Sequence, residues 1–313
     1  MNNDRPILPP WLKRGDTIGL LCPAGPVREM RHLQAGIRLI TDMGFVVKVR
    51  GPVEAREGYL ADSDAQRADN LHALWSDEEV KAVLAIRGGF GCLRLIPHLD
   101  MDLFRRHPKF LVGFSDVTVL LNGLLHHAGI VSLHGPVATS LARSDAQSVD
   151  ALFSLLTGDF PERIKPRGLE ILRSNTGRGR LVGGNLTTLV HLLGTSWDSN
   201  WDGCILLLED TGEALYRLDR MLTQLALAGR LERLAGLLLG AFDTGDDNGQ
   251  ATLRLQEAVW GRVMELVGPE YPVWAAFPVG HQENNLTLPI GMEAIMESGT
   301  GTLRLLPESV DAA

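Results

Sequence analysis

Strand-like and helix-like patterns of apolar residues alternate along the first half of the chain. Four short apolar runs predict strands: residues 17–25, 44–49, 80–91 and 110–115. The first of them, closed by Pro and Gly, is typical of a strand that is buried on both faces. Apolar residues recur at helical spacing over residues 28–43, and the Ser63–Gln66 spacing predicts a capped helix over residues 63–75. This β-α-β order predicts a mostly parallel sheet with helices on both faces. Such sheets carry their functional groups at the carboxyl ends of the strands.

Periodicity is lost in the middle of the chain and resumes in a different form. Residues 141–176 hold one short helical pattern and two prolines, so we interpret 146–176 as a linker region between an N-terminal domain over 1–145 and a C-terminal domain over 177–313. The second half combines strand-like runs with helical patterns and ends in short β-like pieces. The predicted strands are 204–210, 234–242 and 271–281, and the predicted helices are the Leu215–Leu225 stripe, which Gly229 ends, and 252–267. The prediction is therefore an α/β protein whose C-terminal domain is mixed and rich in β-strands.

Composition narrows the classes of partner. Of the 313 residues, 45% are hydrophobic and 22% are charged, which is typical of a globular protein, and the formal net charge is −8. An acidic surface disfavours nucleic acid and anionic membranes as main partners, because both need basic protein surfaces. Apolar runs such as 234–242 are about half as long as a membrane span.

Cysteine spacing and the N-terminal segment indicate the compartment. Cys22, Cys92 and Cys204 lie far apart without a CxxC pair, so neither a disulfide framework nor a zinc site is expected. Residues 1–16 contain acidic residues and prolines but no apolar run of signal-peptide length. We therefore expect a cytoplasmic protein without a metal ion or cofactor.

Ser115 follows an apolar run and precedes a helical pattern, in the stretch "LVGFSDVTVLL". A serine at such a strand-to-helix turn exposes its hydroxyl near unpaired N–H groups of the helix start, which suits a nucleophile. However, Val117 occupies the position where the α/β-hydrolase elbow has its second glycine. The alternative interpretation is an ordinary helix cap, in which Asp116 favours the helix dipole.

Two further predicted strand ends carry titratable residues. Glu209 closes "ILLLED", and a buried carboxylate there needs a partner such as histidine, although Glu213 competes for the same role. His281 follows "VWAAFPVG", and His134 is the other histidine at a predicted strand end. Each residue could also be structural: a solvated strand end for Glu209 and a buried histidine for His281.

Together these residues predict a Ser115–His281–Glu209 relay, in which imidazole accepts the serine proton and the carboxylate orients the imidazole. The loop "RGGFG" follows another predicted strand and brings Gly88 and Gly89 close to a substrate. We expect the N–H groups of Gly89 and Asp116 to form the oxyanion hole. The loop lacks the GxGxxG spacing of a nucleotide-binding motif.

At these residues the chain resembles the LD-carboxypeptidase family of serine peptidases, which includes the muramoyl-tetrapeptide carboxypeptidases and the microcin C immunity proteins. The resemblance rests on ordered blocks over nearly the whole chain: "GDTIGLLCPAGP", "AIRGGFGCLRLIPHLD", "LVGFSDVTVLLNGL", "SLHGPV", "GRLVGGNLTTL", "ILLLEDTGEALYRLDRMLTQL" and "FPVGHQENNLTLPIG". The family's nucleophile falls on Ser115, its histidine on His281 and its glutamate on Glu209, with Glu213 close enough to compete.

The resemblance implies release of a terminal D-alanine from murein tetrapeptides by cleavage after the L-centre of meso-diaminopimelate, during cytoplasmic recycling of cell wall. It also implies a small peptide as substrate, an α/β N-terminal domain, a homodimer and no metal. Arg87, beside the glycines, is a candidate ligand for the anionic peptide terminus, unless it makes a structural ion pair or contacts backbone carbonyls.

Three other functions remain open. The first is an amidase that cleaves peptidyl or aminoacyl adenylates, as in the microcin immunity branch. The second is a binding protein without turnover, and the third is an α/β-hydrolase esterase, which Val117 disfavours. The sequence leaves open whether the tetrapeptide is free or sugar-linked.

Overall fold

The structure, a computed structural model, describes residues 5–54, 58–245 and 249–313. Residues 1–4, part of the N-terminal segment in which no signal peptide is expected, lie outside the described residues. The strands are β1 (Ile7–Leu8), β2 (Thr17–Leu21), β3 (Val46–Val49), β4 (Val80–Ala85), β5 (Phe110–Gly113), β6 (Ser132–His134), β7 (Arg163–Ile164), β8 (Glu170–Arg173), β9 (Thr176–Asn185), β10 (Ile205–Thr211), β11 (Gly236–Asp243), β12 (Val273–Ala275), β13 (Leu288–Ile290), β14 (Glu293–Glu297), β15 (Thr302–Leu306) and β16 (Asp311–Ala312).

Helices follow several of these strands along the chain. They are α1 (Met30–Asp42), α2 (Asp64–Ser76), α3 (Met101–Arg106), α4 (Thr118–Gly123), α5 (Ala138–Leu141), α6 (Ala146–Thr157), α7 (Leu186–Leu192), α8 (Leu215–Leu227) and α9 (Gly249–Leu266). Short 3-10 helices cover Cys92–His98, Ser115–Val117 and Pro307–Ser309, and a π-helical turn covers Leu124–Ala128.

One compact unit comprises residues 1–160, 283–291 and 310–313. Its sheet has the order β13-β6-β5-β4-β2-β3, and its strands pair in parallel except for β13, which is antiparallel to β6. The central strands β4 and β5 are buried almost throughout, as helices on both faces require. The mostly parallel N-terminal sheet that the pattern predicts is therefore confirmed.

The other unit comprises residues 161–282 and 292–309. Its sheet has the order β7-β15-β14-β9-β10-β11-β12-β8, in which β9 to β12 are parallel and the outer strands are antiparallel. This arrangement confirms a mixed, strand-rich second half.

These units divide the chain at places other than the predicted 1–145, 146–176 and 177–313. Helix α6 falls within the predicted linker but belongs to the first unit, because its apolar side chains pack in that unit's core: Phe153 stacks on Phe45 with ring centroids 5.6 Å apart. Strand β13 also returns to the first unit from the far end of the chain.

Local signals fix several element ends, while other predicted ends are wrong. The predicted cap is present, since the Ser63 hydroxyl accepts a hydrogen bond from the Gln66 N–H at the start of α2. The predicted strand 271–281 stops at Ala275, because Ala276 adopts a left-handed conformation with φ of 51°, which strand pairing cannot accommodate. His281 therefore lies in the connection after β12 instead of at a strand end.

Within the part of the chain that the structure describes, no helix has the length and apolar character needed to cross a membrane.

Candidate active site

Ser115 lies in a tight turn between β5 and α4. Its backbone has a φ of +62°, which is the left-handed conformation that non-glycine residues rarely adopt. The turn is tight enough that a Cβ on Gly113 would lie 2.7 Å from Cγ1 of Val117. The missing side chain at Gly113 thus makes room for a valine where an elbow of the α/β-hydrolase type has glycine. The serine is left partly exposed at the carboxyl end of a buried strand.

The glycine loop after β4 contacts the serine directly. A Cβ on Gly88 would lie 3.1 Å from Ser115 Oγ and 3.0 Å from Ser115 Cβ. The next residue, Gly89, has a φ of +118°, which favours glycine strongly. These positions account for the paired glycines in "RGGFG", because a side chain at residue 88 would occupy the space beside the hydroxyl.

The Asp116 side chain points away from solvent, with 8% of its surface exposed. Its Oδ2 accepts a hydrogen bond of 2.7 Å from the N–H of Cys92, the first residue of the Cys92–His98 turn. Burial raises the pKa of this carboxyl. The residue before α4 is Val117, without a side-chain cap bond, so Ser115 is not the ordinary cap of that helix.

Arg87, at the start of the glycine loop, is partly buried. Its Nη1 donates a hydrogen bond of 3.1 Å to the carbonyl of Pro26, which is one of the structural roles that the sequence left open. Burial lowers its pKa, and the nearby charge of Arg28 lowers it further.

Glu209 and His281 form a hydrogen-bonded pair in the second unit. Glu209 lies near the end of β10, is 0% exposed, and accepts a hydrogen bond of 2.7 Å at Oε2 from His281 Nδ1–H. A Cβ on Gly280 would lie 2.7 Å from the same Oε2, so the glycine lets the backbone pass close to the carboxylate. A carboxylate only accepts hydrogen bonds, so it places the proton on Nδ1 and leaves Nε2 as the basic nitrogen.

Acidic side chains determine the protonation of His281. Burial lowers the pKa of His281, but the charge and hydrogen bond of Glu209, together with Asp243 and Asp210, outweigh that effect and raise the pKa above its ordinary value. Asp210 itself accepts hydrogen bonds from the Asn185 amide and from the N–H and hydroxyl of Thr187, and these bonds tie β10 to the start of α7.

The structure distinguishes between the two candidate glutamates and between the two candidate histidines. Glu213 forms an ion pair with Arg217 at 3.4 Å, so Glu209 is the glutamate that contacts His281. His134 is fully buried at the end of β6, where its ring packs edge-on against Phe114 at 6.2 Å between centroids.

The predicted site residues fall into two groups. Ser115, Gly88, Gly89, Arg87 and Asp116 belong to the first unit, where the structure brings Gly88 to Ser115. Glu209, His281 and Glu213 belong to the second unit, where Glu209 meets His281.

Arg67 is a residue near this site that sequence reasoning missed. It lies in α2 but is buried, and its guanidinium donates to the carbonyl of Gly91 in the glycine loop. A single charged residue in an amphipathic helix gives no signal that would mark it as buried.

Metal ligation has no candidate among the described residues. Over residues 5–54, 58–245 and 249–313, no group of three or more His, Cys, Asp or Glu side chains is arranged to hold a metal ion.

Comparison with known proteins matches both halves of the chain to one family. Residues 18–135 match the LD-carboxypeptidase N-terminal domain, and residues 178–296 match the LD-carboxypeptidase C-terminal domain. A murein tetrapeptide carboxypeptidase of Pseudomonas aeruginosa is 33% identical over 92% of this chain and 95% of its own.

Two solved structures resemble the fold over nearly its whole length. A muramoyltetrapeptide carboxypeptidase from Oxalobacter formigenes is 32% identical, with a TM-score of 0.76 over 92% of this chain and 97% of its own. An MccF-like protein from Bacillus anthracis strain Ames is 26% identical, with a TM-score of 0.85 over 96% and 99% of the two chains.

Proposed function

The chain belongs to the LD-carboxypeptidase family, and from this we propose that it hydrolyses the L,D peptide bond that releases the terminal D-alanine of murein tetrapeptides. The observation that carries the proposal is the hydrogen bond between His281 Nδ1 and the buried Glu209, which makes Nε2 the ring nitrogen that can accept a proton. The relatives named for murein peptides in Pseudomonas and Oxalobacter support the choice of substrate.

In the proposed mechanism, Ser115 Oγ attacks the carbonyl carbon of the L-centre of diaminopimelate while His281 Nε2 accepts the hydroxyl proton. The tetrahedral intermediate collapses with cleavage of the C–N bond, and His281 returns the proton to the amine of the departing D-alanine. Water then attacks the acyl-enzyme with His281 again as base, which regenerates Ser115 and frees the tripeptide. The mechanism requires Ser115 Oγ to come within hydrogen-bond reach of His281 Nε2.

Glu209 has two roles in this proposal. Its hydrogen bond holds the imidazole in the tautomer that leaves Nε2 unprotonated, and its negative charge stabilises the imidazolium that forms during attack. The raised pKa of His281 is the expected consequence of the second role, since the same charge favours the protonated ring in the resting enzyme.

Backbone N–H groups complete the proposed chemistry. Gly89 and Asp116 are the proposed donors to the oxyanion, and Gly88 provides the space beside the hydroxyl that the carbonyl carbon of the substrate needs. The closeness of Gly88 to Ser115 supports this assignment, because it puts the loop that carries the Gly89 N–H beside the serine hydroxyl.

Charged side chains are proposed to bind the ends of the substrate. Arg87, held at one nitrogen by Pro26, is proposed to use its remaining donors for the carboxylate of D-alanine. A bound carboxylate would offset the cost of burying its guanidinium beside Arg28. Glu213 remains a proposed substrate contact.

The direct test is an assay on a free murein tetrapeptide with the mass of the product determined. Loss of one alanine is expected, and cleavage at any other bond, or no cleavage, would contradict the proposal. Parallel assays on the sugar-linked tetrapeptide determine which form is preferred.

A second candidate is an amidase that acts on acyl adenylates, which is favoured by the likeness to an MccF-like protein over 96% of the chain. Hydrolysis of an aminoacyl sulfamoyl adenosine, compared with that of the tetrapeptide at equal enzyme concentration, decides between the two. A higher kcat/KM for the adenylate would make the amidase the main activity.

The assembly and its surroundings are also proposals. We expect a cytoplasmic homodimer that needs neither metal nor cofactor. Light scattering on the purified protein should give twice the chain mass, and activity should survive EDTA; strong inhibition by EDTA would contradict the serine mechanism.

A further inference from the structure

The last peptide unit of the glycine loop, which joins Gly91 to Cys92, is bonded to side chains on both sides. The N–H of Cys92 donates a hydrogen bond of 2.7 Å to Asp116 Oδ2, and the carbonyl of Gly91 accepts one of 3.1 Å from Arg67 Nη1. Asp116 directly follows Ser115 in the chain. The glycine loop and the serine turn are therefore joined by a side chain that belongs to the serine turn.

Arg67 is a rigid support for this peptide unit. Only 1% of its surface is exposed, and its guanidinium also donates to the carbonyls of Pro23 and Asp62 and to the carboxylate of Asp64. A guanidinium presents its donors in one plane with fixed directions, so these acceptors determine where Nη1 meets Gly91. Moving the group would leave buried polar atoms without partners, which is costly.

Gly91 is shaped for this contact. Its φ is +135°, and a Cβ there would lie 2.6 Å from Cδ2 of Leu60 and 2.9 Å from Nη1 of Arg67. The absence of a side chain lets the peptide reach the guanidinium.

The other end of the loop is held as well. The N–H of Gly25 donates a hydrogen bond of 3.2 Å to the carbonyl of Gly88, and Arg87 donates to Pro26. Only Gly89 and Phe90 lie between the held positions, so the loop has little freedom to shift against Ser115.

We propose that Asp116 and Arg67 are positioning residues, which clamp the Gly91–Cys92 peptide and thereby fix the N–H groups of the glycine loop relative to Ser115 Oγ. This inference rests on the proposed function, in which Ser115 is the nucleophile and the loop binds the oxyanion. Asp116 then contributes twice: its N–H faces the oxyanion and its carboxylate aligns the other donor.

The clamp, formed by Asp116 and Arg67 on the Gly91–Cys92 peptide, should stabilise the transition state more than it strengthens substrate binding. The oxyanion forms only during attack, so misplaced donors lower kcat and leave KM nearly unchanged. A displacement of about 1 Å is enough for a loss of about 100-fold.

The test compares Asp116→Ala, Asp116→Asn and a matched control, Asp100→Ala, by steady-state kinetics and thermal unfolding. Asp100 Oδ1 accepts a hydrogen bond of 3.0 Å from the N–H of Leu103, so its truncation removes the same kind of carboxylate–backbone bond at the start of α3. Asp116→Ala is expected to lower kcat about 10- to 100-fold with KM within about twofold. Asp116→Asn keeps an acceptor for Cys92 and should recover most of kcat, while Asp100→Ala should keep the wild-type kcat.

Several outcomes would overturn the clamp. One is a wild-type kcat in Asp116→Ala, whether or not KM increases in that variant. Another is a fall in kcat in Asp100→Ala that equals the fall in Asp116→Ala. If Asp116→Ala does not fold, Arg67→Lys replaces it: the lysine keeps the charge but loses the planar donors, and an unchanged kcat would overturn the proposal. Ser115→Ala separates the two proposals, because an active Ser115→Ala enzyme contradicts the proposed function itself.

Discussion

His281 Nδ1 and Glu209 Oε2 lie 2.7 Å apart, and the glutamate is fully buried. A buried carboxylate in contact with an imidazole is stable only if its charge is compensated, so each residue fixes the protonation of the other. This pairing gives the first prediction.

Glu209→Gln should lower kcat/KM by about 10³- to 10⁴-fold, because the amide neither selects the required tautomer nor stabilises the imidazolium. Glu293→Gln, which removes an ion pair with Arg178 between the neighbouring strands β14 and β9 of the same unit, is the matched control and should keep wild-type kinetics. Near-wild-type kinetics in Glu209→Gln would show that the carboxylate has no part in turnover.

The pH profile of kcat/KM should rise through a pKa above the ordinary histidine value of about 6.5, because His281 must be unprotonated to act as base and its pKa is raised. In Glu209→Gln the residual kcat/KM should rise through a lower pKa than in the wild-type enzyme, since the charge that raises the pKa of His281 is lost. The stability that the charged pair contributes should be complete below the unfolded-state pKa and decline as pH rises through the folded-state pKa. Identical pH profiles for the two enzymes would contradict this coupling.

Ser115→Ala and Ser115→Gly should both abolish D-alanine release, but they should differ in stability. Alanine keeps the strain of a φ of +62°, whereas glycine adopts that conformation freely. We expect Ser115→Gly to be more stable than Ser115→Ala by about 1 kcal/mol in urea unfolding. Substantial turnover by either variant would remove the serine from the mechanism.

Gly88→Ala should lower kcat by about 100-fold, because the new Cβ would lie 3.1 Å from Ser115 Oγ and displace either the hydroxyl or the loop. The control is Gly261→Ala in α9, where a Cβ meets nothing within 4 Å. That variant should keep wild-type kinetics and gain about 0.5–1 kcal/mol of stability from the helix propensity of alanine. Full activity in Gly88→Ala would mean that the loop does not adjoin the reacting atoms.

Gly113→Ala should destabilise the protein by about 1–3 kcal/mol, since its Cβ would lie 2.7 Å from Cγ1 of the buried Val117. Combining it with Val117→Ala should cost less than the sum of the two single changes, because the smaller side chain relieves the clash. Urea unfolding of the four proteins in this cycle provides the measurement, and strict additivity would contradict the steric account.

Local patterns predicted those parts of the fold that neighbouring residues determine. The Ser63 cap and the buried runs that became β4 and β10 depend on residues close in sequence. The strand proposed over 271–281 was too long because its apolar composition hid the left-handed residue Ala276. The helix from Ala146 to Thr157 was assigned to a linker because a single amphipathic helix carries no information about which core it packs against.

The candidate site was predictable to a similar extent. Polar residues after apolar runs marked Ser115, Glu209 and His281, and the structure pairs the last two. The roles of the Arg67 and Asp116 side chains could not be predicted, because both depend on contacts with residues 24 positions away along the chain. A carboxylate after a serine has the same appearance in sequence whether it faces water or a buried peptide.

Strand β13 completes the first sheet with residues 288–290, which follow the whole of the 161–282 segment of the other unit along the chain. During translation, the hydrogen-bonding edge of β6 therefore stays unpaired until residues 288–290 have been synthesised. A fragment that ends at residue 160 would lack β13 and leave the edge of β6 unpaired, and such a fragment should aggregate.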